Sequence, residues 1–184
     1  MHILLCNDDG ILADGLRHLA SYLSQYYRIT VVAPANEQSA KSHALTTEVP
    51  LKLDACNGED ENPRLYALTG TPSDCMKFGL SYLLADDMPD LVISGINHGF
   101  NLGSDVLYSG TVSAAMESGF YGIPGLALSV ERYSVERGDE MHPFIHELIE
   151  KIYVAGQFSG LLNVNFPLRG TCDWDHFKMV SQGL

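Results

Sequence analysis

The sequence predicts an α/β fold, Rossmann-like, with a mostly parallel sheet flanked by helices on both faces. Short apolar, β-branched segments alternate along the chain with segments whose apolar residues recur every three or four positions, as in strand–helix–strand units. Several of the apolar segments end in polar, glycine-containing groups, which is typical of strands that reach the ligand-binding edge of an open α/β sheet. The 184 residues suit one core, so we expect residues 1–184 to form a single domain.

The first half of the chain opens with a strand, a helix and a second strand. Leu16, Leu19 and Leu23 have helical spacing, and a later helix begins at Thr71 with Pro72 in an early position. A polar, Ser/Thr-rich segment over 36–48 predicts a loop. The predicted strands cover 3–6, 29–33, 51–55 and 65–68, and the predicted helices cover 13–27 and 71–85.

The second half continues the alternation. A buried-looking strand that ends in a polar group is followed by a Gly/Asn loop and by a helix whose first turn consists of small residues. The predicted strands cover 90–97, 125–130 and 162–167, and the predicted helices cover 109–120 and 143–154.

Charge and composition exclude several classes of partner. The net charge of −12 and the dispersed 11 Lys and Arg residues argue against duplex nucleic acid and anionic membrane, which need clustered basic residues. No apolar run approaches the roughly 20 residues that span a bilayer, and the first residues lack the basic region of a signal peptide. Four scattered cysteines without a C-x-x-C pair fit a reducing compartment. We therefore expect a soluble, cytoplasmic protein.

Two adjacent carboxyl groups follow the first predicted strand, in Asn7-Asp8-Asp9-Gly10. Neighbouring side chains on a strand point to opposite faces, so Asp8 and Asp9 can share one ion only where the backbone turns, which Gly10 permits. An ordinary acidic turn is the alternative, because Asn, Asp and Gly are common turn residues.

Further oxygen donors are predicted at the same edge of the sheet. Asn97 ends the strand over 90–97, and its amide oxygen suits a hard cation. Ser39 lies in the loop after the second strand, where its hydroxyl could bind a metal ion or phosphate. Both residues also suit plain polar loops. Neighbouring His98 is interpreted as a loop histidine near the rim.

Ser109, Gly110 and Thr111 open a predicted helix. Small residues at a helix start leave backbone N–H groups accessible and let an anion approach closely, and the helix dipole adds positive potential. An ordinary N-cap with small packing residues is the alternative. Together with the strand ends, this helix start predicts a site for a metal ion and a phosphate group.

At these residues the chain resembles the SurE survival protein family of metal-dependent 5′/3′-nucleotidases. The matching segments follow family order over nearly the whole chain, and the tandem of 94–97 and 108–111 is the most specific part. The matching segments are 7–10, 33–39, 70–75, 89–97, 101–103, 108–111 and 163–167.

The resemblance implies one divalent metal ion per subunit, Mg²⁺ or Mn²⁺, since the donors are all oxygens. It implies hydrolysis of nucleoside 5′- and 3′-monophosphates and of polyphosphate, and a homodimer or homotetramer. The implied metal ligands are Asp8, Asp9, Ser39 and Asn97, the implied phosphate contacts are Asn97, Ser109, Gly110 and Thr111, and the implied catalytic residues are Asp8, Asp9 and Asn97. Family members continue past 163–167 with an arm exchanged between subunits, whereas only 168–184 follow here, so we expect that arm to be short or missing.

The role of Asp8 stays open between two alternatives. In one, Asp8 positions or deprotonates the attacking water; in the other, it is itself the nucleophile.

Two rival functions fit the sequence less well. A phosphoacceptor receiver needs a lysine after a late strand, and 123–130 contains none, while a dinucleotide-dependent oxidoreductase needs G-x-G-x-x-G after the first strand.

Overall fold

The structure, a computed structural model, describes residues 1–181, which form a seven-stranded sheet in the order β3-β4-β2-β1-β5-β6-β7. Every neighbouring pair is parallel except β3 with β4. The strands are β1 (His2–Cys6), β2 (Arg28–Pro34), β3 (Leu53–Ala55), β4 (Arg64–Leu68), β5 (Leu91–His98), β6 (Gly125–Val130) and β7 (Leu161–Phe166).

Four α-helices within the described residues cover the two faces of this sheet. Helices α1 and α4 pack together on one face, and α2 and α3 pack together on the other. The mostly parallel, doubly covered sheet predicted from the sequence is therefore confirmed. The helices are α1 (Asp14–Leu23), α2 (Pro72–Phe78), α3 (Gly110–Glu117) and α4 (Val135–Leu148), with 3₁₀ turns at Gly103–Leu107 and Ser118–Tyr121 and π-helical continuations at Gly79–Leu83 and Ile149–Ala155.

Strand β1 is buried on both of its faces. Ile3 and Leu5 join the core beneath α1 and α4, whereas Leu4 and Cys6 join the core beneath α2. The alternation follows the period of two in a strand, and full burial explains why β1 is a continuous apolar run. The residues that follow β1 are therefore held in place by a buried strand at the centre of the sheet.

The predicted start of the last helix, at residue 143, is wrong. Helix α4 begins at Val135, where the Ser134 hydroxyl accepts a hydrogen bond from the Arg137 N–H at 3.2 Å, and Pro143 lies inside the helix. A proline removes a helical hydrogen bond, but four neighbouring apolar side chains of α4 are buried, and this packing outweighs the local cost. Those side chains are Met141, Phe144, Ile145 and Leu148.

The direction in which the sheet grows reverses beside β1. Strands β2, β3 and β4 extend it on one side, and the chain then returns to place β5 on the other. Ligands of open α/β sheets bind outside the carboxyl ends of strands at such a reversal. The carboxyl ends of β1 and β5 carry Asp8, Asp9 and Asn97. None of the helices within 1–181 has the length and apolar character needed to cross a membrane.

Candidate active site

The turn after β1 is held by Asn7. Its side-chain amide nitrogen donates to the Gly10 carbonyl at 3.0 Å, and its amide oxygen accepts the Gly10 N–H at 3.1 Å. Gly10 has a φ of +101°, which L side chains rarely adopt. Asn7 therefore fixes the turn that presents Asp8 and Asp9. No local pattern in the sequence indicates this role of Asn7.

Asp8 lies beneath the start of α3. It is 6% exposed, and the Thr111 hydroxyl donates to its Oδ1 atom at 2.6 Å. Gly110 is equally close, because a methyl group added there would lie 3.0 Å from the Asp8 Cβ and 3.1 Å from its Oδ2. The predicted carboxylate and two of the predicted phosphate-binding residues are thus neighbours in space, although 103 positions separate Asp8 from Thr111 in sequence.

Asp9 is partly buried and lies towards the end of β5. The backbone N–H and the charge of His98 both favour the ionised form of Asp9, which places its carboxyl group beside the residue that follows Asn97. The Asn97 amide nitrogen donates to the Gly99 carbonyl at 2.8 Å. In the part of the chain that the structure describes, the Asn97 amide oxygen accepts no hydrogen bond, so it is the atom that remains for a ligand.

Ser39 is exposed in the loop after β2, and its hydroxyl donates to the Glu37 carboxylate at 2.7 Å. The neighbouring Gln38 N–H donates to the Asp8 carbonyl at 2.8 Å, which ties this loop to the turn after β1. Glu37 is a functional candidate that sequence reasoning missed. Its charge raises the pKa values of both Asp8 and Asp9, and its carboxylate accepts the hydrogen bond from Ser39.

The electrostatics of the site favour a cation. Burial raises the pKa of Asp8, although the hydrogen bond from Thr111 opposes the shift. Burial, then the charges of Asp8 and Glu37, raise the pKa of Asp9 from its ordinary value of 3.8 to about 6. A divalent ion would remove this mutual repulsion, and a donor set made only of oxygens suits Mg²⁺ or Mn²⁺.

The ligand set must extend beyond carboxylates. Residues 1–181 hold no group of three or more His, Cys, Asp and Glu side chains arranged for a metal ion. Two aspartates at this position therefore need neutral oxygen donors beside them, and Ser39 and Asn97 are of that type. The ligand set stays a prediction.

The start of α3 supplies hydrogen-bond donors opposite Asp8. Ser109 is the N-cap residue, and its hydroxyl accepts the Val112 N–H at 3.1 Å. The N–H groups of Gly110 and Thr111 precede the first intrahelical hydrogen bonds and so have no acceptor within the helix. An anion can bind these groups and the positive end of the helix dipole.

A cavity of 650 Å³ lies along another side of α3. It is lined by Val112, Ser113 and Met116 of the helix, by the 3₁₀ turn Gly103–Leu107, and by β7. Neither Asp8 nor Asp9 lines it. The cavity therefore adjoins the anion-binding helix without containing the carboxylate pair.

Comparisons with known proteins identify the family of the chain. The profile of the family described as Survival protein SurE matches residues 3–184. A protein of Thermoanaerobacter sp. (strain X514) named 5′-nucleotidase SurE is 49% identical over 168 residues, covering 91% of this chain and 66% of that protein. A protein of Alkaliphilus metalliredigens (strain QYMF) with the same name is 37% identical over 185 residues, covering 100% of this chain and 73% of that protein.

A solved structure of a SurE protein is also similar to this chain. The crystal structure of the SurE protein from Aquifex aeolicus matches with a TM-score of 0.77 at 37% identity, covering 91% of this chain and 66% of that chain. The chain spans just under two thirds of the length of that protein and of the Thermoanaerobacter relative. A profile match over nearly every residue, and relatives of this identity, lead to one conclusion: the chain belongs to the survival protein SurE family.

Proposed function

We propose that this chain is a phosphomonoesterase that needs a divalent metal ion and hydrolyses nucleoside 5′-monophosphates to nucleoside and phosphate. The observation that carries the proposal is the contact between Asp8 and the start of α3, where Thr111 donates to Asp8 at 2.6 Å. A cation-attracting group and an anion-binding group in direct contact suit a phosphate ester held together with a metal ion. The name 5′-nucleotidase SurE of the relatives supports the same activity.

The roles of the residues follow from their positions. In this proposal, the N–H groups of Gly110 and Thr111, with Ser109 and Asn97, bind the phosphoryl oxygens. Asp8 lies against that helix start, and its Oδ1 is held by Thr111, so its carboxylate can position or deprotonate the attacking water.

The ion belongs to the same proposal. Asp8, Asp9, Ser39 and Asn97 would hold one divalent ion per subunit, Mg²⁺ or Mn²⁺. Bound there, the ion would supply Lewis-acid chemistry at the phosphoryl group.

The proposal extends to the whole protein. We include nucleoside 3′-monophosphates and polyphosphate as substrates, a homodimer or homotetramer as the assembly, and the cytoplasm as the location. We also propose that the chain forms a single SurE-like domain. Neither duplex nucleic acid nor a membrane is a partner in this proposal, which the net charge of −12 supports.

The test is phosphate release from 5′-AMP and 3′-AMP by protein stripped of metal, before and after addition of Mn²⁺ or Mg²⁺. We expect release only after the metal is added. No release by folded protein that has been shown to bind Mn²⁺ would contradict the proposal. A stable phosphoprotein formed with acetyl phosphate would indicate a receiver instead.

Gly110→Ala is expected to lower kcat by roughly 10-fold, because even a displacement well below 1 Å in a reacting group lowers the rate. The added methyl group would lie 3.0 Å from the Asp8 Cβ, so the carboxylate must move by a few tenths of an ångström. Relief of this close contact should cost about 1–3 kcal/mol of stability, so the variant should remain folded in the assay. Steady-state kinetics measure the effect, with Gly119→Ala as the control because a methyl group there meets nothing within 4 Å. Equal kcat values in the two variants would contradict the prediction.

Metal affinity is expected to fall as the pH falls through 6, because the pKa of Asp9 is raised to about 6 and protons compete with the ion. The raised pKa also means that protonation of Asp9 stabilises the metal-free fold, and this contribution is lost as the pH rises from about 4 through 6. Mn²⁺ should therefore raise the melting temperature more at pH 7.5 than at pH 5. An equal rise at both values, or the same pH dependence in Asp9→Asn, would argue against this assignment.

A further inference from the structure

One asparagine fixes the segment that joins the two halves of the site. This segment, residues 98–108, is called the connector here; it runs from Asn97 at the end of β5 to Ser109 at the start of α3. Asn101 lies in the connector and is only 6% exposed. Its backbone N–H donates to the Asn165 Oδ1 at 2.9 Å, and its carbonyl accepts from the side chains of Asn163 at 2.8 Å and Asn165 at 3.2 Å.

The partners of Asn101 come from two neighbouring strands. Asn163 and Asn165 are two positions apart on β7, so their side chains share a face of the sheet. Asn165 pairs with Ser129 of β6, and the Ser129 hydroxyl accepts a hydrogen bond from the Asn101 side chain at 2.8 Å. The carboxyl ends of β6 and β7 thus provide four hydrogen bonds to a single connector residue.

Val106 packs against the apolar cluster that includes Val112 and Ala115 of α3, but the other large apolar side chains of the connector are largely exposed. Leu102, Leu107 and Tyr108 are 53%, 62% and 68% exposed. Segments with little apolar burial have low local stability unless hydrogen bonds fix them. The 3₁₀ turn adds backbone hydrogen bonds within the connector, from Asp105 to Leu102 and from Tyr108 to Asp105. The two ends of the connector are tied to other segments, where Gly99 bonds to Val130 and where Ser42 bonds to Leu107 and Tyr108.

We propose that Asn163 and Asn165 are positioning residues for the phosphate-binding start of α3. They hold Asn101, Asn101 holds the connector, and the connector sets where Gly110 and Thr111 lie relative to Asp8. The inference rests on the proposed function for its kinetic consequence. Asp8 and Asp9 follow β1, which β5 and β6 separate from β7 in the strand order, so Asn163 and Asn165 should affect phosphate binding more than metal binding.

The test compares Asn163→Ala and Asn165→Ala with Asn57→Ala. Asn57 is a matched control, because its side chain also donates to a carbonyl, that of Pro63, and accepts a backbone N–H, that of Leu65, both at 2.8 Å. It lies at the β3–β4 connection, far from the site in the strand order. Alanine adds no charge that could repel phosphate by itself.

In the β7 variants, we expect the inhibition constant of inorganic phosphate and the KM for 5′-AMP to rise about 10-fold, the effect of losing one or two hydrogen bonds. Mn²⁺ affinity without substrate should change less than 2-fold, while Asn57→Ala should lower only the melting temperature. Equal phosphate inhibition constants in all three variants and the wild type would overturn the inference.

A second readout does not depend on activity. In amide ¹H–¹⁵N spectra, the Gly110 and Thr111 signals should shift in the β7 variants and stay in place in Asn57→Ala. If the wild type releases no phosphate, the proposed function fails while these spectra still decide the positioning role. Unshifted Gly110 and Thr111 signals would overturn it.

Discussion

Asp8→Asn is expected to lower phosphate release from 5′-AMP by roughly 1,000-fold in the metal-loaded protein, because it removes charge from the metal site and the proton acceptor at once. The metal-free fold should be as stable as the wild type or more so. Asparagine keeps an oxygen for the Thr111 hydroxyl, and burial already disfavours the ionised form of Asp8. Phosphate release and denaturant unfolding measure the two effects on one preparation.

The control for this variant is Asp54→Asn, an exposed carboxylate on β3 that pairs with Lys52. That change should leave kcat intact. Loss of activity in Asp8→Asn together with unfolding would make the role structural, and retained activity would remove Asp8 from the reaction. Hydrolysis in ¹⁸O-labelled water separates the two chemical roles, since label in the Asp8 carboxylate would identify it as the nucleophile.

Gly95→Ala is expected to lower the free energy of unfolding by about 2–5 kcal/mol, the sum of an unfavourable backbone conformation and overpacking. Gly95 has a φ of +129°, and a methyl group there would clash with the Leu128 carbonyl oxygen of the neighbouring strand. A backbone oxygen cannot rotate away, so β5 and β6 must separate. Because Gly95 lies two residues before Asn97, metal affinity should fall as well.

Denaturant unfolding of Gly95→Ala beside Gly119→Ala measures this effect. Gly119 has open space at its Cβ position and a φ outside the positive range, so its variant should stay within about 0.5 kcal/mol of the wild type. A Gly95→Ala protein within 1 kcal/mol of the wild type would show that the strands relax around the methyl group and would contradict the prediction.

The sequence predicts the fold well, because the fold depends on local patterns, and the same patterns indicate where the candidate site lies. A buried strand that ends in Asn7-Asp8-Asp9-Gly10 places two carboxylates at the sheet edge without any knowledge of distant contacts. The contact of Thr111 with Asp8 and the bonds that Asn163 and Asn165 make to Asn101 depend on tertiary packing, so no local pattern indicates them.

The wrong start of α4 and the missed role of Glu37 also come from tertiary packing. Pro143 is a breaker by local rules, yet it lies within α4 because apolar burial on both sides of it outweighs the lost hydrogen bond. The charge of Glu37 was overlooked because its approach to Asp8 and Asp9 follows from the path of the loop after β2, which the residues of that loop do not specify.

Because β1 is fully buried, the proposed metal ligands differ in mobility. Asp8 and Asp9 follow a central, fully buried strand, whose amides we expect to exchange only on global opening, whereas Ser39 is exposed in a loop that we expect to open locally. Capture of an ion therefore needs no rearrangement of the sheet. Most of the conformational entropy lost on ion binding comes from ordering the loop that carries Ser39. The length and stiffness of that loop, rather than the carboxylates, can therefore set how fast an ion is released.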